Sequence, residues 1–275
     1  MINHKFKTNM PKIIGSTDIK PYWQVIQNII NDSDIVIEVL DARMPELSRN
    51  KEIEEIVQNS GKRLILILNK SDLVSESNLR KRLKKLQREY PVFVISSKKK
   101  LGTKRLREYL IAQSKSKENN KLFRIGVLGY QNTGKSYIIN ALVMKSKAKV
   151  TSRAGTTHGQ QWINAGNNIQ IIDSPGVIPL KEQDEVRYAL IGSRNIDKIK
   201  NLELVAHEVI NFFENKLNIE RLYNIKIDSE NSNNPDKIIE QIGIKRGFLK
   251  KGGLVDFGRT SIQIIRDWQS GKLRV

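Results

Sequence analysis

The stretch that decides the fold is residues 124–136, RIGVLGYQNTGKS, where a short apolar run leads into two glycines, a lysine and a serine. Its second part, Gly129–Ser136, fits the pattern G-x-x-x-x-G-K-[ST] and lies between a predicted strand, Arg124–Leu128, and a predicted helix. Glycines let the backbone wrap around phosphates, while successive N–H groups and the helix N-terminus supply positive potential. The stretch predicts a phosphate-binding loop in which Lys135 reaches the β and γ phosphates and the Ser136 hydroxyl binds Mg²⁺.

A second transition from strand to loop carries a base-reading pattern. The apolar run Leu64–Leu68 ends in residues 69–72, NKSD, which fit N-K-x-D. A carboxylate at Asp72 can accept hydrogen bonds from the ring N1–H and the 2-amino group of guanine; adenine lacks both, so its binding would leave a charge unpaired. Taken alone in a lysine-rich chain, N-K-x-D is more typical of a simple turn than of a nucleotide site. After a strand, and in one chain with the phosphate loop, it predicts a guanine site, with Lys70 along the base and Asn69 tying the two loops together.

The γ-phosphate end has its own candidates. Asp173 to Gly176 follows the run Ile169–Ile172 and fits D-x-x-G, although a Ser-Pro-Gly turn fits the same residues. The pattern predicts that Asp173 holds Mg²⁺ through a water and that the Gly176 N–H contacts the γ-phosphate. Thr157 is the candidate switch threonine that completes the Mg²⁺ shell, with its neighbour Thr156 as the alternative.

The order of these patterns is rotated. The strand Val92–Ile95 is followed by Ser96, Ser97 and Lys98, which we expect to support the guanine ring, and both base-reading patterns precede the phosphate loop. An ordinary GTPase has the phosphate loop first. The same sheet can form if the old ends are joined, here through 114–121, and new ends are cut elsewhere, because domain termini often lie close together.

Strands that alternate with helices predict an α/β fold: a P-loop GTPase fold in circularly permuted order, with a mostly parallel sheet flanked by helices. We expect this G domain at residues 1–190 and a small all-helical C-terminal domain, which we expect to bind RNA or the ribosome, at 191–275. The helices that we predict individually are one capped by Ser75, one capped by Thr103, one from the phosphate loop through Met144, Val205–Leu217, Pro235–Ile242 with Asn234 as its cap, and Asp256–Gln269. Segments 161–165 and 169–172 predict a hairpin.

Charge is the strongest compositional signal. The net charge is +19, and residues 79–117 hold fourteen Lys or Arg against Glu89 and Glu108. A solvated lysine-rich surface and a polyanion-binding surface both fit such a block; its size and concentration favour structured RNA. The absence of cysteine and of an apolar run of about 20 residues indicates a cytoplasmic protein without disulfides or a membrane span. We expect a monomer that does not bind DNA.

Taken together, these motifs resemble the circularly permuted GTPases of the YlqF/YawG group, which assemble the large ribosomal subunit. Further marks of that group are the segment 41–50, DARMPELSRN, the segment 160–162, QQW, and the C-terminal stretches 247–253, GFLKKGG, and 270–273, SGKL. The resemblance implies a factor that binds ribosomal RNA and a precursor of the large subunit, uses GTP/GDP and Mg²⁺, and hydrolyses GTP slowly without the particle. The nucleotide-contacting positions that it adds to those above are Asn132, Thr133, Gly134 and Tyr137.

Some positions depart from the pattern of small GTPases. Val177 stands where those enzymes carry a water-orienting glutamine, and His158 is either a surface loop residue or a substitute for it. Asn132 matches the position that binds a monovalent cation in potassium-dependent relatives, so K⁺ is a possible cofactor. Two functions stay open: a GTPase whose catalytic residues include Lys135, Thr157 and Gly176, and an RNA-binding scaffold in which GTP is a conformational ligand with little hydrolysis. The small-subunit type of permuted GTPase and a P-loop kinase or ATPase are disfavoured.

Overall fold

The structure, a computed structural model, describes residues 19–116, 121–143, 162–173 and 185–275. Its centre is a six-stranded sheet whose strands are, in chain order, β1 (Ile35–Asp41), β2 (Arg63–Asn69), β3 (Val92–Val94), β4 (Phe123–Leu128), β5 (Trp162–Gly166) and β6 (Ile169–Asp173). Across the sheet the order is β3-β2-β1-β4-β6-β5. Neighbouring strands are parallel except β5 and β6, which are antiparallel, so the predicted mostly parallel sheet and hairpin are confirmed.

Burial explains the composition of the central strands. All seven residues of β1 and six of the seven in β2 are buried, as expected for parallel strands that are covered on both faces. The hairpin turns at Asn167 and Asn168, whose φ angles are 51° and 58°. Asparagine tolerates this left-handed conformation better than other non-glycine residues, so it suits a tight two-residue turn.

Helices cover both faces of the sheet. They are α1 (Ile19–Asp32), α2 (Pro45–Ser48), α3 (Lys51–Asn59), α4 (Glu76–Leu86), α5 (Thr103–Ser114), α6 (Lys135–Val143), α7 (Glu185–Leu190), α8 (Leu202–Asn211), α9 (Leu217–Tyr223), α10 (Pro235–Arg246) and α11 (Phe257–Gln269). Leu106, Leu110 and Ile138 of α5 and α6 pack in one core, while α1, α3, α8, α10 and α11 contribute to the other. In the part of the chain that the structure describes, no helix has the length and apolarity to cross a membrane.

Two predicted helix details are wrong. Thr103 is the first residue of α5 rather than its cap; the cap is Gly102, with a φ of 87°, where a side chain would collide with the Val94 carbonyl. The helix predicted at Val205–Leu217 is two helices. The Lys216 ammonium donates to the carbonyls of Ile210 and Phe213 at 2.9 and 2.6 Å, so it caps the end of α8 and turns the chain toward α9.

Other cap predictions have mixed outcomes. Asn234 caps α10 as predicted, because its side-chain oxygen accepts from the Lys237 N–H at 3.2 Å. Asp256 caps α11 instead of lying inside it, accepting from the Arg259 N–H at 3.0 Å. Ser75 does precede α4, but its side chain makes no capping bond.

The C-terminal helices share a hydrophobic core with the sheet. Trp268 of α11 is fully buried in a cluster that also contains Val36 and Leu66 from the central strands. Its indole N–H donates to the Leu190 carbonyl at 2.8 Å, and its ring stacks on Phe212 with the ring centroids 5.4 Å apart. The helical region therefore packs directly behind the sheet edge where the motifs lie, and a division at residue 190 stays a prediction.

Candidate nucleotide-binding site

Four loops meet at one edge of the sheet. Because β1, β2, β3 and β4 are mutually parallel neighbours, their carboxyl ends lie together. Asp41 ends β1, Asn69 ends β2, Ser96 lies two residues beyond β3, and Gly129 follows β4. The rotated chain order therefore still brings the base-reading and phosphate-binding patterns to a single site.

Asn69 connects three of these loops. Its side-chain amide donates to the Thr133 carbonyl of the phosphate loop at 2.7 Å. Its side-chain oxygen accepts from the Ser97 N–H at 3.1 Å and from the Ser97 hydroxyl at 2.7 Å. Asn69 is fully buried. A Cβ on Gly134 would collide with this amide, so the approach of the two loops requires a glycine there. The predicted tie between the loops is thus present.

The base-reading loop is held by the loop after β3. Ser96 donates its hydroxyl hydrogen to one carboxylate oxygen of Asp72 at 2.6 Å and accepts the Lys99 N–H at 3.1 Å. Asp72 is half-buried, and Lys98 is exposed beside it. This arrangement fixes the Asp72 carboxylate with one oxygen bonded by the serine, in a position from which it can accept donors of a planar base.

The phosphate loop is folded around its own lysine. Lys135 is buried, and its ammonium donates to the carbonyls of Gly129 and Tyr130 at 2.8 and 2.7 Å. The Thr133 hydroxyl donates to the same Tyr130 carbonyl at 2.8 Å. Lys135 is also the first residue of α6, so its charge and the helix N-terminus lie in the same loop, which suits an anionic phosphate chain.

Comparisons with known proteins agree with this geometry. Residues 124–240 match the model of a family described as 50S ribosome-binding GTPase. The chain is 31% identical over 261 residues to ribosome biogenesis GTPase A of Priestia megaterium, an alignment that covers 87% of this chain and 86% of that protein. The chain belongs to the circularly permuted ribosome biogenesis GTPases.

A solved structure and two longer relatives extend the comparison. The structure of GNP-bound YlqF from T. maritima matches with a TM-score of 0.63 and 25% identity, covering 92% of this chain and 95% of that one. A GTP-binding protein of Methanocaldococcus jannaschii is 39% identical over 258 residues, 92% of this chain but 66% of the relative. The chain spans only 56% of nucleolar GTP-binding protein 2 of Pneumocystis carinii.

The tip of the phosphate loop contacts the segment that leads into the C-terminal helices. The Asn132 amide donates to the Gly192 carbonyl, and the Ser193 hydroxyl donates to the Gln131 carbonyl at 3.2 Å. Asn132 has a φ of 60°, in the left-handed region. Asn132, the residue predicted to bind potassium, therefore uses its side chain in a contact between the phosphate loop and the helical region.

The remaining predicted site residues are only partly within the described structure. Ser136 is exposed in the first turn of α6, where its hydroxyl suits Mg²⁺, which prefers oxygen ligands; Tyr137 packs against the core beneath. Asp173 ends β6, and its backbone pairs in register with Val127 of β4, one residue before the end of that strand. The positions that fall outside the described residues are Thr156, Thr157, His158, Gly176 and Val177.

The sequence patterns assigned no role to two buried groups of this chain. Asp41 is fully buried; burial alone would raise its pKa, but the charges of Arg43 and Lys70 outweigh burial and hold that pKa well below its usual range. Tyr130, in the phosphate loop, is also buried, which raises the pKa of its hydroxyl to about 12. That hydroxyl accepts from the Asn50 amide at 3.3 Å. The D-A-R segment marked the family, but the spacing did not reveal these contacts.

Proposed function

We propose that this chain binds GTP and hydrolyses it to GDP and phosphate while it acts as an assembly factor on the large ribosomal subunit. The observation that carries the proposal is the bonding of Asn69, which joins the base-reading loop to the phosphate loop. The relatives add support, because one is a ribosome biogenesis GTPase and others of similar fold were solved with GNP or GDP bound.

Binding divides between the two ends of the nucleotide. Asp72 accepts the N1–H and 2-amino hydrogens of guanine, and Lys70 lies along the base. Ser96, Ser97 and Lys98 support the ring. Backbone N–H groups of Asn132, Thr133, Gly134 and Tyr137 cradle the phosphates, and Lys135 exchanges its bonds to loop carbonyls for phosphate oxygens.

Hydrolysis depends on the γ-phosphate end. Ser136, Thr157 and Asp173 would hold Mg²⁺, which neutralises charge on the phosphate oxygens when bound. Lys135 stabilises charge on the γ-phosphate, and the Gly176 N–H donates to it. Because Val177 cannot orient water by hydrogen bonding, the orienting group comes from elsewhere, and we expect hydrolysis to be slow until the particle is bound.

Ribosomal RNA binding is assigned to the basic surface beside the guanine end. Its lysines and arginines lie on α4, on the loop at 98–100 and on α5, and most of them are exposed. Such side chains contact phosphate backbones without sequence preference. We assign the helical region 191–275 to the same particle as a second contact. The protein acts in this proposal as a cytoplasmic monomer that binds no DNA.

A second candidate is an RNA-binding scaffold in which GTP is a conformational ligand with little hydrolysis. Val177 favours it, since the position of the usual water-orienting residue is apolar. Phosphate release, measured with and without purified large subunits, separates the two functions. Release that rises with the subunits supports the GTPase, and release at the uncatalysed rate in both samples supports the scaffold.

The variant Asp72→Asn tests the base-reading role. An amide cannot accept both guanine hydrogens, but it can donate to the 2-oxo group of xanthine. We therefore expect the dissociation constant for GDP to rise roughly a hundredfold while that for xanthosine diphosphate falls. Asp197→Asn, at an exposed position in the helical region, is the matched control and should leave both constants unchanged. An unchanged preference for GDP in Asp72→Asn would refute the assignment.

A further inference from the structure

A buried ion pair links the base-reading loop to helix α11. Arg43 and Asp41 are 1% and 0% exposed, respectively. Two guanidinium nitrogens of Arg43 donate to the two carboxylate oxygens of Asp41, Nε to Oδ1 at 3.1 Å and Nη2 to Oδ2 at 2.8 Å. The third nitrogen, Nη1, donates to the Trp268 carbonyl, and the guanidinium lies 4.1 Å from the centroid of the Trp268 ring. All three guanidinium nitrogens of Arg43 therefore donate hydrogen bonds, and the group also packs on the Trp268 ring.

The same carboxylate reaches the guanine end of the site. Asp41 Oδ2 also accepts from the Lys70 ammonium at 2.8 Å. Lys70 has a φ of 61°, in the left-handed region that a lysine rarely adopts, and it lies between Asn69 and Asp72. A left-handed residue in the middle of a loop costs free energy, so the bond to Asp41 helps to keep Lys70, and with it the loop, in this conformation.

The segment after α11 holds the other end of the loop. The Val275 N–H donates to the Leu73 carbonyl at 2.8 Å, and the Ser75 N–H donates to the Val275 carbonyl at 2.6 Å. Gly271 packs so closely that an added Cβ would lie 2.9 Å from a Leu73 methyl. Leu73 directly follows Asp72. The base-reading loop is thus fixed on both sides by α11 and the segment that follows it.

We propose that Asp41 and Arg43 are positioning residues for guanine recognition, and that helix α11, through Trp268, is a structural part of the base site. The inference rests on the proposed guanine site. It assigns to the helical region a direct effect on nucleotide affinity at the base end, separate from any effect that passes through the γ-phosphate loop. A partner that shifts α11 would thereby change how firmly the guanine base is held.

Arg43→Lys is the test variant, and Arg49→Lys is its matched control. Arg49 is also buried, pairs through two nitrogens with Glu54 at 2.6 Å, and has its guanidinium 5.6 Å from the Tyr90 ring centroid. Its other side-chain hydrogen bonds within the described residues go to Glu89, which lies outside the base-reading loop. Lysine keeps the charge in both variants but removes the fork and the stacking. Trp268→Phe, which keeps an aromatic ring under Arg43, is the conservative variant.

The readout is the pair of dissociation constants for GDP and ADP, measured by competition, together with the urea unfolding midpoint. ADP has the same phosphates but none of the guanine donors, so general damage weakens both ligands whereas a misplaced base loop weakens GDP alone. For Arg43→Lys we expect GDP binding to weaken roughly tenfold and ADP binding to change less than about twofold. For Arg49→Lys we expect a lower midpoint with an unchanged ratio of the two constants, and for Trp268→Phe a ratio near wild type.

Two results would overturn the inference. If Arg43→Lys and Arg49→Lys change the ADP to GDP ratio equally, the Arg43–Asp41 pair serves only the fold, and the proposed guanine site stands without it. If the wild-type protein itself binds ADP as tightly as GDP, the guanine site is wrong and this inference falls with it.

Discussion

Replacing Glu38 by glutamine is expected to stabilise the folded protein at neutral pH. Glu38 lies in the middle of β1 and is fully buried. One carboxylate oxygen accepts the Asn50 N–H at 2.7 Å; the other has no hydrogen-bond partner within the described part of the chain. Burial, reinforced by the charge of Glu54, raises the pKa of Glu38 from 4.5 to about 8 against the opposing effects of Asn50, Arg49 and Lys51.

The sign and size of the effect follow from proton linkage. Above pH 4.5 the unfolded chain releases the Glu38 proton, whereas the folded chain keeps it until about pH 8. The folded state therefore binds more protons in this window, and the stability contributed by Glu38 is complete below pH 4.5 and falls as the pH rises toward 8. Each pH unit well inside this window costs about 1.4 kcal/mol, so wild type should lose roughly 2–3 kcal/mol between pH 5 and pH 7 through this group.

The assay is urea unfolding of wild type and Glu38→Gln at pH 5 and at pH 7. Glutamine keeps the acceptor for the Asn50 N–H but cannot ionise. Subtracting the urea midpoint of wild type from that of the variant cancels the contributions of the other titrating groups. This difference in midpoint should be larger at pH 7 than at pH 5 by roughly 1 M. A difference that is the same at both pH values would refute the reasoning.

Glu54→Gln is the matched control. Glu54 is equally buried, but both of its oxygens accept from Arg49 at 2.6 Å. Removing this charge leaves the buried guanidinium paired only with the partly exposed Glu89, so the variant should lose roughly 2–3 kcal/mol at pH 5. It should also lose stability at pH 7, but less, because the charge of Glu54 no longer helps to raise the pKa of Glu38. Opposite outcomes for two buried glutamates would show that pairing, and not burial, decides their effect on stability.

Three further predictions concern the site. Asn69→Ala removes the hydrogen bonds that join the loops and should weaken GDP binding by roughly tenfold or more. An unchanged dissociation constant for GDP would contradict this prediction. Neutralising five basic residues should weaken binding to ribosomal RNA and flatten its salt dependence; they are Lys98, Lys99, Lys100, Lys104 and Arg105. Unchanged RNA binding would mean that this basic surface is only solvated. If Asn132 helps to bind K⁺, GTP hydrolysis should be faster in KCl than in NaCl, and equal rates would count against a cation site.

Local pattern predicted much of the fold because the central strands are buried on both faces. Such strands are continuous apolar runs, and the two predicted at Leu64–Leu68 and Arg124–Leu128 are present within one residue. Helix α1 and helix α3 were not predicted, although the helical spacing of Ile26, Ile29 and Ile30 and of Ile53, Ile56 and Val57 is the signal that could have found them. The split of Val205–Leu217 was missed because it depends on Lys216 folding back onto α8.

The sequence by itself determined the chemistry of the site and the rotated order of its motifs. Phosphate and base recognition need particular residue types at fixed short spacings, and such spacings can be read directly from the sequence. Only the tertiary structure decided how Asn69 joins loops 64 residues apart and how Arg43 reaches Trp268, 225 residues away. Such contacts depend on where the sheet and α11 place each backbone, and no local pattern of residues encodes that placement.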